Sequence, residues 1–198
     1  MNGVTVKSNT RQPTRVRTRL APAARRHQIV TEATRLISRS GFNAVSLGDI
    51  ADACGIRKSS VLHYFPTMYD LLTAVLAQRD RDEYEAVAIG TAPLTRTELR
   101  AHLRRVVERN IAMREIVTLF TVLRVEAMDP HHPAHTYFAQ RTRAALETMS
   151  ILLDWKPDPA IAARQLIAFW QGLETLWIAD PATDFLLVWD AFCDDFFR

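Results

Sequence analysis

Apolar residues recur at helical spacing in the N-terminal third of the chain, and small or capping residues divide them into three short helices. Between residues 23 and 40, Ile29, Ala33 and Ile37 share one helix face, and Gly41 marks its end. Ser46 is followed three residues later by Asp49, a capping-box pattern that opens a second helix. A turn at residue 55 ends that helix, and a third is predicted over residues 58–64.

Longer amphipathic segments follow, with capping residues or prolines at most of their starts. They predict helices over residues 68–89, 95–112, 114–128, 133–153, 159–179 and 184–197. No segment of useful length alternates apolar and polar residues with a period of two, so no sheet is expected. The predicted fold is all-α, with a flexible arm at 1–22, a three-helix domain at 23–66 and a helical domain at 67–198.

The charge distribution separates the first third of the chain from the rest. The first 66 residues hold eleven basic and three acidic residues, whereas the remainder holds fourteen basic and nineteen acidic ones. A basic region on an acidic body indicates a module that binds a polyanion. Within the arm, Arg11, Arg15, Arg17 and Arg19 are expected to add salt-sensitive affinity. A solvated basic tail is the alternative.

The second and third helices, joined by the tight turn at Gly55, form a helix-turn-helix pattern in this basic region. In such a motif the second helix enters the major groove of DNA, so its outer face must be polar. The residues available for that face are Arg57, Lys58, Ser59, Ser60, His63 and Tyr64. The alternative is an ordinary helical hairpin with a solvated face.

Several motifs occur here in one order: Gly41-Phe42, Ser46-Leu47-Gly48-Asp49-Ile50-Ala51-Asp52-Ala53-Cys54-Gly55-Ile56, His63-Tyr64-Phe65-Pro66-Thr67 and Leu71-Leu72. Over about residues 25–75 the chain resembles the N-terminal domain of the tetracycline-repressor (TetR) family. The resemblance implies a dimeric, nine-helix transcriptional regulator, usually a repressor that a small ligand releases from its operator DNA.

The resemblance also implies roles for single residues. Ser46 and Leu47 fall at the start of the helix that contacts the DNA backbone. Base contacts are implied for Lys58, Ser59 and Ser60, and phosphate contacts for His63 and Tyr64. The chain departs from the family pattern at Arg57, Leu62 and Met68, where the family usually has Ser or Thr, Tyr and Lys. Leu62 and Met68 cannot contact phosphates as Tyr and Lys do, and Arg57 and the arm are expected to compensate.

The C-terminal domain carries aromatic and polar residues that fit a cavity for an effector. Gln171 and Glu174 lie three residues apart on one helix face between two tryptophans, and polar groups inside an apolar helix need partners. The predicted ligand-binding residues are Phe120, Leu123, Trp170, Gln171, Glu174 and Trp177. The alternative is that the polar pair faces solvent or a dimer interface.

The last helix is too apolar to be covered by one protomer. Ten of the thirteen residues from 185 to 197 are apolar, and the helix is too short to span a bilayer. A homodimer is therefore predicted through the last two helices, and the preceding helix is expected to contribute Leu166, Phe169, Leu173 and Leu176.

The remaining residue patterns indicate no enzyme. Nucleophile, metalloprotease and phosphate-loop motifs are absent from the sequence, and no cofactor is expected. His131, His132 and His135 could converge on a metal, but a polar surface turn is the preferred interpretation. Cys54 and Cys193 are expected to pack in the core of a reduced, cytoplasmic protein without a secretory signal or membrane span. The rival class is a helical enzyme or small-molecule-binding protein with a vestigial helix-turn-helix.

Overall fold

The computed structural model of the chain describes residues 20–86 and 94–198. Nine α-helices and no strand lie in these two ranges, which confirms the all-α prediction. They are α1 (Pro22–Ser40), α2 (Leu47–Ala53), α3 (Lys58–Tyr64), α4 (Met68–Ala86), α5 (Arg96–Ala112), α6 (Arg114–Glu126), α7 (His135–Leu152), α8 (Pro159–Ala179) and α9 (Phe185–Phe196). The four arginines assigned to the arm, and the predicted end of the fourth helix at residue 89, lie outside the described residues.

Local side-chain hydrogen bonds fix most of the helix starts where the sequence predicts them. In the capping box of α2, the Ser46 hydroxyl accepts from the Asp49 amide, and the Asp49 carboxylate accepts from the Ser46 amide at 2.9 Å. The same reciprocal pattern joins Thr67 to Asp70 and Thr95 to Glu98, and Asp158 and Asp184 cap α8 and α9. Such caps satisfy amides that the helix itself leaves without acceptors.

A turn displaces the predicted boundaries on both of its sides, because α6 ends at Glu126 rather than at residue 128 and α7 begins later than predicted. The sequence places Pro133 in the first turn of this helix, whereas the helix begins at His135. The Asp129 carboxylate accepts from the His131 amide at 2.9 Å, and His132 Nδ1 accepts from the Ala134 amide at 3.1 Å. These two bonds hold residues 129–134 in a turn that delays the helix.

The first hydrophobic core joins α1–α4 to α6 and α7. Ile37, Ile50 and Phe65 are almost fully buried within the N-terminal helices, and Leu119 and Phe138 belong to the same continuous cluster. The three-helix unit therefore rests on the body through shared apolar packing. A movement of α4, α6 or α7 is transmitted to it through close-packed side chains.

The second core lies among α5, α6, α8 and α9, and it is rich in aromatic rings. Trp189 is fully buried and meets Trp170 edge-on with ring centroids 4.8 Å apart, while Phe169 stacks on Phe192 at 3.8 Å. Cys193 is buried here and Cys54 in the first core, as predicted, and burial raises the pKa of both thiols.

This core corrects part of the predicted dimer surface. Leu166 and Leu173 are buried inside the protomer, and Phe169 is half-buried, whereas Leu176 is exposed. The prediction is wrong for Leu166 and Leu173, because both leucines pack into the second core of their own protomer. Among the described helices, none is both long and apolar enough to cross a membrane.

Phe65 offers a direct test of the first core. It is 1% exposed at the end of α3, whereas the neighbouring Leu62 is 38% exposed. We expect Phe65→Ala to lower the free energy of unfolding by about 3–5 kcal/mol, because it leaves a cavity in a packed core. Leu62→Ala, the matched control, should stay within about 0.5 kcal/mol of the unaltered chain in urea unfolding. Equal losses in the two variants would contradict this assignment.

Candidate functional site

The turn between α2 and α3 sets the angle of a short, exposed helix. Gly55 has φ of +65°, a left-handed conformation that glycine adopts without a Cβ clash. The Ile56 amide donates to the Ala51 carbonyl at 3.0 Å, which closes the turn. Ile50 and Val61 are fully buried on either side of it. The inner faces of α2 and α3 are thus fixed, and the outer face of α3 is presented to solvent.

Polar and cationic side chains occupy that outer face. Arg57, Lys58, Ser59 and His63 are exposed, while Ser60 and Tyr64 are half-buried. The His63 ring meets the Tyr64 ring edge-on at 5.4 Å. No acidic residue lies in the sequence of α3. This face can donate hydrogen bonds to phosphates or base edges, as a helix in a DNA groove must.

The two predicted contact residues at the start of α2 are engaged within the protein. The Ser46 hydroxyl donates to the Asp49 carboxylate at 2.6 Å, and hydrogen bonds from Ser46 lower the pKa of Asp49. Leu47 is half-buried against the first core. Their side chains therefore stabilise the start of α2. Most of the side-chain hydrogen-bond donors that remain free to face a DNA groove thus lie on α3.

A cavity of about 210 Å³ lies among α4–α8. Four of the six predicted ligand-binding residues line it, namely Phe120, Trp170, Gln171 and Glu174. Leu123 instead packs in the first core. Trp177 packs edge-on against Phe185 at 5.4 Å, with the Arg114 guanidinium 4.4 Å from its ring centre.

Glu174 is the buried charge at the centre of this cavity wall, and it is only 6% exposed. Its Oε1 accepts from Trp170 Nε1 at 2.8 Å and from Asn110 Nδ2 at 3.3 Å, and its Oε2 lies 3.6 Å from Arg124 Nη1. Burial raises the pKa of Glu174, while the Trp170 hydrogen bond and the neighbouring guanidinium groups oppose that rise. The carboxylate thus faces the interior rather than solvent.

The cavity also contains cationic groups that sequence reasoning missed. Arg79, Arg124 and Arg141 line it together with Glu174, and two of them flank Phe120. The guanidinium carbons of Arg79 and Arg141 lie 5.6 and 4.3 Å from the centre of that ring. Arg124 was detectable in principle, because it lies one helical turn after Phe120 in an apolar helix.

The histidine cluster after α6 serves the local turn. His132 accepts from the backbone at Nδ1 and meets the Tyr69 ring edge-on at 4.8 Å, while His135 Nδ1 lies 2.8 Å from the Ala127 carbonyl. Within the described ranges, no group of three or more His, Cys, Asp or Glu residues is arranged to hold a metal ion.

Comparisons with known proteins agree with this architecture. Residues 29–75 match the family described as bacterial regulatory proteins of the tetR family. The HTH-type transcriptional repressor LfrR of Mycolicibacterium smegmatis is 36% identical over 130 residues, covering 64% of this chain and 66% of LfrR. The HTH-type transcriptional regulator LuxR of Vibrio harveyi is 37% identical over 62 residues, or 31% of this chain and 30% of LuxR. The chain thus spans less than two thirds of the length of either curated relative.

A solved structure shows that the similarity of fold extends through the body. The tetR-family transcriptional regulator from Streptomyces coelicolor superimposes with a TM-score of 0.70 at 20% identity. The match covers 89% of this chain and 80% of that one. At this identity the comparison establishes the fold alone. The chemistry of the cavity is therefore inferred from the residues of this chain.

Glu174 and Arg124 provide a test of the cavity wall. Glu174→Gln keeps the shape of the side chain but leaves the Arg124 guanidinium without its counterion, so we expect a loss of about 1–3 kcal/mol in urea unfolding at pH 7. The double variant Glu174→Gln with Arg124→Met removes both charges and should recover most of that loss. An unaltered stability in the single variant would show that the pair is not ionic.

Proposed function

Because residues 29–75 carry the N-terminal domain of the TetR family, we propose that the chain is a DNA-binding transcriptional regulator, acting as a dimeric repressor that a small molecule releases from its operator. The observation that carries the proposal is the exposed outer face of α3, held by the Gly55 turn. The curated relatives are transcriptional regulators, which favours this class over the enzymatic alternative.

The proposal assigns a separate role to each segment of the chain. In this proposal the basic residues of segment 1–22 contact the DNA backbone, residues 23–66 bind the DNA, and residues 67–198 bind the effector and a second protomer. On α3, Lys58 and Ser59 read base edges together with Ser60, while His63 and Tyr64 contact phosphates. Arg57 adds a phosphate contact at the exposed start of the helix.

Dimerisation through α8 and α9 is supported by the apolar residues that these helices leave exposed. Ile161 and Leu176 on α8 are 53% and 52% exposed, and Leu187 and Val188 on α9 are exposed as well. Between the two α8 residues the exposed positions include the small residues Ala168 and Gly172. Small side chains allow a partner helix to approach closely.

Release by an effector has a geometric explanation. Two recognition helices must lie about 34–36 Å apart, one turn of DNA, to enter successive major grooves. α4 contributes Leu71 and Val75 to the core beneath α3, and one turn after Val75 it contributes Arg79 to the cavity wall. A ligand that favours another position of α4 therefore shifts the population away from the DNA-binding spacing.

Lys58 tests the DNA interface. We expect Lys58→Ala to weaken binding by about 1–3 kcal/mol to a duplex that the unaltered chain has selected from a random-sequence pool. Relaxed sequence preference would indicate base contact, and a shallower salt dependence would indicate phosphate contact. The control, Arg105→Ala, removes an exposed charge from α5 and should bind normally. Failure to enrich any sequence, or normal binding by Lys58→Ala, contradicts the assignment.

The dimer surface is tested by sedimentation. We expect the unaltered chain to sediment as a dimer at micromolar concentration without DNA, and the variant Leu176→Glu with Leu187→Glu to sediment at the 22.5 kDa protomer mass. The physical reason is that two carboxylates would be buried without partners in the interface. Val125→Glu, at an equally exposed apolar position on α6, should remain dimeric. A monomeric unaltered chain would contradict the proposal.

A further inference from the structure

The charges around the cavity do not balance. Arg141 is neutralised, because its guanidinium donates to both oxygens of Asp80 at 2.8 and 3.1 Å. Arg124 faces Glu174 at 3.6 Å. Arg79 donates to the Asn110 side-chain oxygen, which is neutral, and no carboxylate pairs with Arg79 among the side chains that the structure describes. The Glu174 charge also acts on Arg79, so three guanidinium groups share two carboxylates among the described residues. The wall therefore carries one positive charge in excess.

Glu174 at first suggests a cationic ligand, but its environment argues against one. Both of its oxygens are already engaged, one by Trp170 and Asn110 and the other by Arg124. An incoming cation would have to displace Arg124 and would also lie near the positive charges of Arg79 and Arg141. Like charges that meet in a poorly solvated site cost far more than they do in water.

The remainder of the wall is apolar and suits a hydrocarbon body. Leu103, Val106, Met149, Leu166 and Ile167 line it. A cavity of about 150 Å³ holds the six carbons of benzene, so the 210 Å³ available here encloses roughly eight non-hydrogen atoms. Because the cavity is partly open to solvent, a ligand of about ten to twelve non-hydrogen atoms can extend from it.

We propose that this cavity binds a small amphipathic anion, an organic acid whose carboxylate pairs with Arg79 and whose hydrocarbon body lies against the apolar wall. The proposal names the chemical class of the effector and so rests on the proposed function. The planar guanidinium of Arg79 can donate two parallel hydrogen bonds to a carboxylate, and such a ligand supplies the counterion that the wall lacks.

Ligands that share one hydrocarbon body but differ in their head group test whether the cavity prefers an anion. Calorimetry on the unaltered chain without DNA would compare phenylbutyrate with phenylbutyramide and phenylbutylamine, and octanoate with octanamide and octylamine. We expect at least one acid to bind about tenfold more tightly than its amide and its amine, because a charge-assisted hydrogen bond is stronger than a neutral one. The proposal is overturned if an amine or amide binds as tightly as its acid, or if neither acid binds at millimolar concentration.

Substitutions in α4 then test whether Arg79 binds the carboxylate of the ligand. Arg79→Gln should weaken binding of the preferred acid about tenfold and leave binding of its amide unaffected. The control, Arg81→Gln, removes an exposed charge from the same helix and should leave binding of both the acid and the amide unchanged. Unchanged acid binding in Arg79→Gln would overturn the assignment. Arg79→Lys retains the charge and should retain the preference. The head-group comparison needs no variant, so it decides the charge class even if Arg79→Gln does not fold.

The two proposals fail separately. A chain that selects a DNA sequence but prefers the amine keeps the regulatory function and overturns the anionic effector. A chain that prefers the acid but enriches no DNA sequence keeps the cavity chemistry and overturns the regulatory function. If both hold, the preferred acid should release the selected duplex, and its amide should do so only at about tenfold higher concentration.

Discussion

The need to compensate one buried carboxylate organises the body of this protein. A charged group removed from water must be paired and hydrogen-bonded, and Glu174 on α8 meets that need with groups from three helices. Trp170 belongs to α8 itself, Asn110 to α5 and Arg124 to α6. Asn110 in turn accepts from Arg79, which brings α4 into the same network. The cavity wall is therefore a set of mutually dependent polar contacts within an otherwise apolar interior.

α4 links this network to the N-terminal helices α2 and α3. Its first half packs in the same core as Val61 and Phe65, which hold α3. Its second half contributes Arg79 to the cavity and Asp80 to α7, where Tyr137 and Arg141 both donate to it. Because one helix carries both sets of contacts, a displacement of α4 that alters the cavity wall also alters the packing beneath α3.

The sequence predicted the features that depend on neighbouring residues. The capping pair Ser46 and Asp49, the bounds of α3 and the tight turn at Gly55 are all local, and residue spacing along the chain predicts them. The cavity was predicted only in part, because Arg79 and Asn110 are 31 residues apart and meet only after the helices pack. Trp177 and Leu173 show the same limit, since a helix pattern identifies apolar positions without saying which neighbour covers them.

The two cysteines give each core its own chemical reporter. Cys54 lies in the first core and Cys193 in the second, both are free thiols, and burial holds both in the unreactive protonated form. A thiol reagent therefore reaches either sulfur only when the surrounding helices separate. The labelling rate at each position measures how often that half of the molecule opens, so the cohesion of the N-terminal core and of the C-terminal core can be followed independently in one chain.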